Sequence, residues 1–216
     1  MRKVNKKILI VALVITMGLC VFGCSKKEEE SNKKAAESGV LTKDNIDNLL
    51  KGKHRAEIEV ADYGTIKVEL DADKAPVSVT NFVNLVNEKF YDGLTFHRII
   101  DGFMIQGGDP EGNGTGGSEQ CIIGEFKNNG IKNNLTHKRG ALSMARAADN
   151  NSASSQFFIV HEDSTHLDGQ YAAFGYVTEG IEIVDKVCKD SEPTDNNGTI
   201  KADEQPVITS IKIRTE

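Results

Sequence analysis

The chain has 216 residues, with 26 Lys and Arg against 32 Asp and Glu, 38% hydrophobic residues, 20 Gly, 4 Pro, 4 Cys and no Trp. That suits one medium-sized globular domain with an extension, and it excludes fibrous, collagen-like and wholly disordered chains. The net charge of −6 is uneven: residues 1–23 hold Arg2, Lys3, Lys6 and Lys7 and no acid, so 22 bases face 32 acids in the remainder, which argues against a nucleic-acid partner.

Behind the basic tip, Ile8 to Gly23 is an almost unbroken run of apolar or small residues, shorter than the roughly 20 residues that span a bilayer core. It reads as an export signal. The run ends at Val21-Phe22-Gly23-Cys24, followed by Ser25-Lys26-Lys27-Glu28-Glu29-Glu30, which resembles a bacterial lipobox, although Val21 and Phe22 depart from its usual residues. An uncleaved membrane helix and an ordinary secretory signal are the other readings. The lipobox resemblance implies a signal over 1–23, acyl chains on Cys24 and a chain anchored outside the cytoplasmic membrane. The segment from Ser25 to Gly39 has no aromatic residue and too little apolar area to offset its ordering entropy. It is expected to be a flexible tether, with the tether region running over 24–53 and Thr42 to Leu50 adding at most a helical turn. Of the four cysteines, only Cys121 and Cys188 would remain unmodified in the exported domain, expected as two separate thiols rather than a bridge.

Over 54–216 the periodicity changes. Ile58 and Val60, then Ile66, Val68 and Leu70, alternate with charged residues around Asp62-Tyr63-Gly64, predicting a hairpin with one wet face. Pro76 opens a predicted helix whose Val79, Phe82, Val83 and Val86 form one stripe. Short strands follow at 95–99, 104–106, 142–145, 157–160, 173–177 and 207–214, and a second helix at 181–188. Many short strands with few helices predict a mainly β fold, a closed antiparallel barrel whose open ends are covered by helices.

Several motifs fail. Gly112-Asn113-Gly114-Thr115-Gly116-Gly117 has dinucleotide-fingerprint spacing but no strand-turn-helix context. Asp195-Asn196-Asn197-Gly198 lacks the remaining ligands of a calcium loop and reads as a turn. No two of the five His lie three or four apart, and no metal or other cofactor is expected.

The informative stretch is Phe96-His97-Arg98-Ile99-Ile100-Asp101-Gly102-Phe103-Met104-Ile105-Gln106-Gly107-Gly108-Asp109-Pro110. Together with Gly114-Thr115-Gly116-Gly117, Leu142-Ser143-Met144-Ala145-Arg146, Ser155-Gln156-Phe157-Phe158-Ile159 and Leu167-Asp168-Gly169, it closely resembles the cyclophilin family of peptidyl-prolyl cis-trans isomerases from about Arg55 to Glu216. The resemblance implies an eight-stranded antiparallel β-barrel capped by two helices. It assigns Arg98 as the catalytic arginine, Gln106 as the residue that holds it, and Phe103, Met104, Phe158 and Leu167 as the surround of the proline ring. His97, Gly114, Ala145, Arg146 and Gln156 fall on peptide-contact positions. His166 stands where the family commonly has Trp or Phe, Tyr171 where many members have His, and Arg146 where eukaryotic members have Asn, which predicts weak cyclosporin binding. The partners implied are proline-containing polypeptides and, through the lipid anchor, the membrane; a monomer is expected. The alternatives are a non-catalytic module that holds proline segments in the same groove, and a solute-binding lipoprotein, for which one barrel leaves too little chain.

Overall fold

The computed structural model describes residues 19–214. Most of the expected signal segment lies outside the described residues. Three α-helices and eight strands follow in chain order: α1 (Leu19–Glu37), β1 (Lys53–Val60), β2 (Gly64–Asp71), α2 (Pro76–Asn87), β3 (Phe96–Ile100), β4 (Met104–Gly107), β5 (Ala141–Met144), β6 (Phe157–Val160), β7 (Ala173–Glu179), α3 (Ile181–Asp190) and β8 (Ile208–Arg214). No helix among the described residues is long and apolar enough to cross a membrane.

The hairpin forms as its alternation predicts. Ala56 pairs with Val68 and Ile58 with Ile66, and these four side chains are buried on one face because successive strand residues point to opposite sides. The α2 stripe packs into the same core, where the Phe82 ring lies 5.2 Å from Tyr91, 5.5 Å from Phe157 and 5.4 Å from Phe174, measured between centroids.

The expectation of a closed barrel needs correction. All strands are antiparallel in one sheet of order β3-β4-β6-β5-β7-β2-β1-β8, curled into a half-barrel whose edge strands β3 and β8 meet only at their first residues. There Phe96 N donates to Pro206 O, Ile208 N donates to Leu94 O, and Thr95 and Val207 form an isolated bridge. Beyond that point the outer edge of β3 is taken by the loop before β8. Ile99 N donates to Gly198 O, Ile200 N donates to His97 O, and Arg98 bridges to Thr199. A loop thus protects the edge that a continuous ladder would have covered.

The expected tether also differs: residues 19–37 are helical. Its apolar area is small, but its residues are spaced for local pairing. Glu29 with Lys33 and Glu30 with Lys34 stand at i,i+4 in the favourable order, each such pair being worth about 0.2–0.5 kcal/mol. Ala35 and Ala36 are strong helix formers. Ala35 and Asn32 are each only 2% exposed, and Glu28 accepts from Lys43 at 2.8 Å, so the helix lies against its own domain. The side chain of Cys24 lies outside the described residues. Cys121 and Cys188 are separate free thiols.

Candidate active site

Strands β3 and β4 form a tight hairpin in which Arg98 is registered against Gln106. The half-buried Arg98 donates from Nη1 to Gln106 Oε1 at 3.1 Å and from Nε to the carbonyl of Asn197 at 2.7 Å. Gln106 Nε2 donates to Gln156 Oε1 at 2.9 Å, and Gln156 Nε2 donates to Gly116 O at 2.7 Å. The direction of this relay is forced, because a guanidinium can only donate and a backbone carbonyl can only accept. Both amides are therefore locked and Arg98 is held from two sides. Burial pulls the Arg98 guanidinium below its usual range, which leaves it a cation at neutral pH.

Beside the guanidinium lies a small apolar cluster separate from the main core. It gathers Met104, Phe158 and Leu167, all buried, with Phe103, Ala145, Tyr171 and Ile100 partly buried against them. Arg98 and this cluster meet at Met104, whose Sδ is 3.8 Å from Arg98 Nη1. Phe158 meets Tyr171 edge-on at 6.0 Å, and Phe103 faces the exposed ring of His166 at 5.9 Å. A second hollow of about 190 Å³ opens alongside, lined by Gln106, Gly114, Thr115, Ala145, Arg146 and Gln156 among others.

The structure thus brings together Arg98, Phe103, Met104, Gln106, Ala145, Gln156, Phe158, Leu167 and Tyr171, with Gly114, Arg146 and His166 around the rim. The Arg146 guanidinium stacks on Tyr171 at 4.7 Å and donates from Nη2 to Gln170 O at 2.9 Å, so its side chain braces the rim. His97 is the odd member. It is 3% exposed and neither ring nitrogen has a hydrogen-bond partner among the described residues. Burial holds its pKa below the usual value. A Cβ placed on Gly114 would lie 3.7 Å from its Nε2, so His97 stands behind the second hollow.

Two supports were not visible as such in the sequence. The glycine-rich loop winds round Asp109, a 1% exposed carboxylate that accepts from the amides of Glu111, Asn113 and Gly114. This explains the spacing that mimics a nucleotide fingerprint. The turn read at 195–198 presents Asn197 O to Arg98: Asp195 Oδ1 accepts from Asn197 N and Thr199 N at 2.9 and 3.0 Å, an Asx-type arrangement. Gly198 has φ +86°, and a Cβ there would come within 2.6 Å of Ile99 O. Only glycine fits this closely against β3.

The fold is a half-barrel with a fixed arginine at the lip of an apolar hollow, and the comparisons give its family. Residues 55–214 match the model of the cyclophilin type peptidyl-prolyl cis-trans isomerase/CLD family. The chain belongs to that family and is a peptidyl-prolyl cis-trans isomerase. It is 51% identical over 122 residues to peptidyl-prolyl cis-trans isomerase B of Bacillus subtilis, covering 56% of this chain and 82% of that protein. It is 41% identical over 159 residues to a peptidyl-prolyl cis-trans isomerase of Acinetobacter baylyi, covering 70% and 81%. Among solved structures it resembles a Cryptosporidium parvum cyclophilin type isomerase determined in the presence of the dipeptide Ala-Pro, with a TM-score of 0.66, 31% identity, and coverage of 75% of this chain and 99% of that one.

Proposed function

We propose that this isomerase acts on X-Pro bonds of proteins outside the cytoplasmic membrane, assisting their folding as a monomer held to that membrane by acyl chains on Cys24. The reading rests on the basic tip, the apolar run from Ile8 to Gly23 and the cysteine that follows it. More than one buried acyl chain is needed for stable anchoring. Membrane fractionation of cells producing the wild type and Cys24→Ser tests it. Wild type should sediment with membranes and incorporate labelled fatty acid while Cys24→Ser incorporates none; absence of label in the wild type, or equal label in both, overturns the anchor without touching the isomerase.

Rotation of an X-Pro amide must break C–N conjugation against a barrier of about 18–20 kcal/mol, although trans is preferred by only about 0.5–1 kcal/mol. No bond to carbon breaks, so the task is to favour the twisted amide over the planar one. In our reading the proline ring sits among Phe103, Met104, Phe158 and Leu167, which exclude water. The chain beside the proline lies along Ala145 and Arg146 over the second hollow, near His97, Gly114 and Gln156, with His166 and Tyr171 at the rim. Twisting makes the prolyl nitrogen pyramidal and localises its lone pair, to which the fixed Arg98 guanidinium donates. A donor set in place beforehand needs no reorganisation as that lone pair appears. Lowering the barrier by about 7 kcal/mol would accelerate the reaction about 10⁵-fold.

The observation that carries this mechanism is the relay from Arg98 through Gln106 and Gln156 to Gly116 O. Gln106→Leu keeps the side chain's bulk and removes both links, and should lower kcat about tenfold, the cost of roughly one net hydrogen bond. NMR exchange spectroscopy on an Ala-Pro peptide measures it, and an unchanged kcat would free Arg98 from Gln106. Cyclosporin should inhibit weakly, because the exposed imidazole of His166 replaces a large apolar ring against Phe103. His166→Trp should tighten inhibition, and nanomolar inhibition of the wild type would show that His166 is no obstacle.

A further inference from the structure

On the far side of the β3–β4 turn from Arg98, three metal-ligating side chains from three separate elements converge. Asp101 stands in the turn itself, His161 directly follows β6, and Cys188 lies on α3. One ligand atom from each falls within 4.8 Å of the other two, a grouping that the sequence hides because its members are 60 and 27 residues apart.

The hydrogen bonds around His161 aim it into this space. Asp185, one helical turn before Cys188, lies 3.0 Å from Nε2, and its carboxylate is fixed by Arg139 Nη2 at 2.7 and 2.8 Å. A carboxylate on Nε2–H sets the tautomer and leaves the Nδ1 lone pair facing the cluster, as second-shell carboxylates do for metal-bound imidazoles. Gly102 N–H donates to Nδ1 at 2.9 Å, a hydrogen bond that a cation on Nδ1 would replace. Yet Asp101 Oδ1 also faces Nδ1, at 3.3 Å. A cation between the carboxylate and the imidazole would be attracted to both.

We propose that Asp101, His161 Nδ1 and Cys188 Sγ form a binding site for a borderline divalent cation of the zinc class. Zinc takes oxygen and nitrogen ligands at about 2.0–2.2 Å and sulfur at about 2.3 Å in a tetrahedron. Its ligand atoms then sit roughly 3.3–3.7 Å apart, so closing the site from separations of up to 4.8 Å needs a contraction of at most about 1.1–1.5 Å. The Asp101–His161 separation is already 3.3 Å, so the contraction falls on the distances to Cys188 Sγ. The mixed N, O and S donor set excludes magnesium and calcium, which take oxygen ligands. Burial pushes the Cys188 thiol up to about 12, so the thiol stays protonated until a cation arrives. On binding, the S–H proton leaves to solvent as the S–metal bond forms, and no electrons change hands. The bound ion would tie α3 to the turn that leads into Phe103, whose carbonyl already accepts from His161 N at 2.8 Å.

Cobalt(II) is the probe, since it accepts zinc's tetrahedral geometry and gives a thiolate-to-metal charge-transfer band. The full-length chain should take up one equivalent with that band, and zinc should displace it. Asp101→Asn, an exposed change, should weaken binding at least tenfold, and Cys188→Ser should abolish the band while Cys121→Ser leaves it intact. Zinc should raise Tm in the wild type and not in Asp101→Asn. Absence of a band in the wild type, its survival in Cys188→Ser, its loss in Cys121→Ser, or equal affinities in wild type and Asp101→Asn would each overturn the site.

Discussion

Replacing Arg98 by alanine is expected to lower kcat/KM for an Ala-Pro peptide by about 10²- to 10³-fold, the cost of removing one preorganised donor from a developing charge. The fall should appear in kcat, because in the proposed mechanism the guanidinium contributes where the lone pair localises and far less to the planar substrate. Arg98→Lys should recover no more than about tenfold of the loss. A lysine ammonium is a point charge on a flexible stem, and it cannot satisfy Asn197 O and Gln106 Oε1 in the planar geometry that the arginine uses. The fold should be unaffected, since the Arg98 side chain is half-buried at the lip and belongs to neither apolar cluster. A protease-coupled assay reads the rate, and a loss below about threefold would remove Arg98 from the role assigned to it.

Glu125 should give the largest effect on stability. The residue before α2 is Ala75, which has no side chain to cap the helix, and Pro76 follows at its first position. Glu125, from a loop nearly fifty residues away, takes over the task. Oε1 accepts from Val77 N at 3.0 Å, and Oε2 accepts from Ser78 N at 2.8 Å and from the Ser78 hydroxyl at 2.7 Å. Glu125→Ala strands two buried amide donors and a hydroxyl, and is expected to cost about 3 kcal/mol. For a chain of this size that lowers Tm by about 6–12 °C.

The pH dependence separates the carboxyl's charge from its hydrogen bonds. Burial outweighs the three donors and pushes Glu125 up to about 7 from an ordinary 4.5. The folded state therefore holds the proton more tightly than the unfolded chain. The stability this contributes is complete below pH 4.5 and is lost as pH rises to about 7. The neutral buried His97 and His137 act in the opposite direction, since burial lowers both, and their contribution is lost as pH falls below 6.5. The difference between Glu125→Gln and the wild type cancels the histidines. It should move in favour of the glutamine variant by up to about 3 kcal/mol between pH 4.5 and 8. Urea titrations at the two pH values measure it, and a pH-independent difference would show that Glu125 titrates normally.

These two residues differ in how far the sequence announces them. Arg98 and its neighbours lie in continuous motifs on one hairpin and its partner strands, so the register of β3 on β4 and β4 on β6 carries the spacing straight into space. Strand β6 forms over 157–160, where its apolar run ends at His161, and α2 starts at Pro76, but it is buried on nearly every side, from Val77 continuously to Val83, and not on the one stripe that the 3.6-residue spacing picks out. Glu125 has no local signature, because a cap supplied from a distant loop leaves no pattern beside the helix that it caps. Asn197 is equally silent. Its contribution is a backbone carbonyl, and the turn that positions it reaches Arg98 only after the chain has covered the outer edge of β3. The same loop explains why the strand pattern suggested a closed barrel, since alternation reveals which residues face a core and not whether the last strand completes the ladder. Helix α1 carries no apolar stripe: it docks through Ala35, Asn32 and the Glu28–Lys43 ion pair, contacts that composition does not announce.

The proposed catalysis rests on differential recognition of the twisted amide by Arg98, and NMR can measure both sides of that difference on the same samples. Titration of the Ala-Pro peptide gives its equilibrium Kd, and exchange broadening at saturation gives the catalysed rate, for the wild type and for Arg98→Ala. The proposed mechanism predicts a Kd changed by less than about threefold with a rate at least a hundredfold lower. A Kd weakened in proportion to kcat/KM, with the saturated rate unchanged, would make Arg98 a substrate anchor and contradict the mechanism.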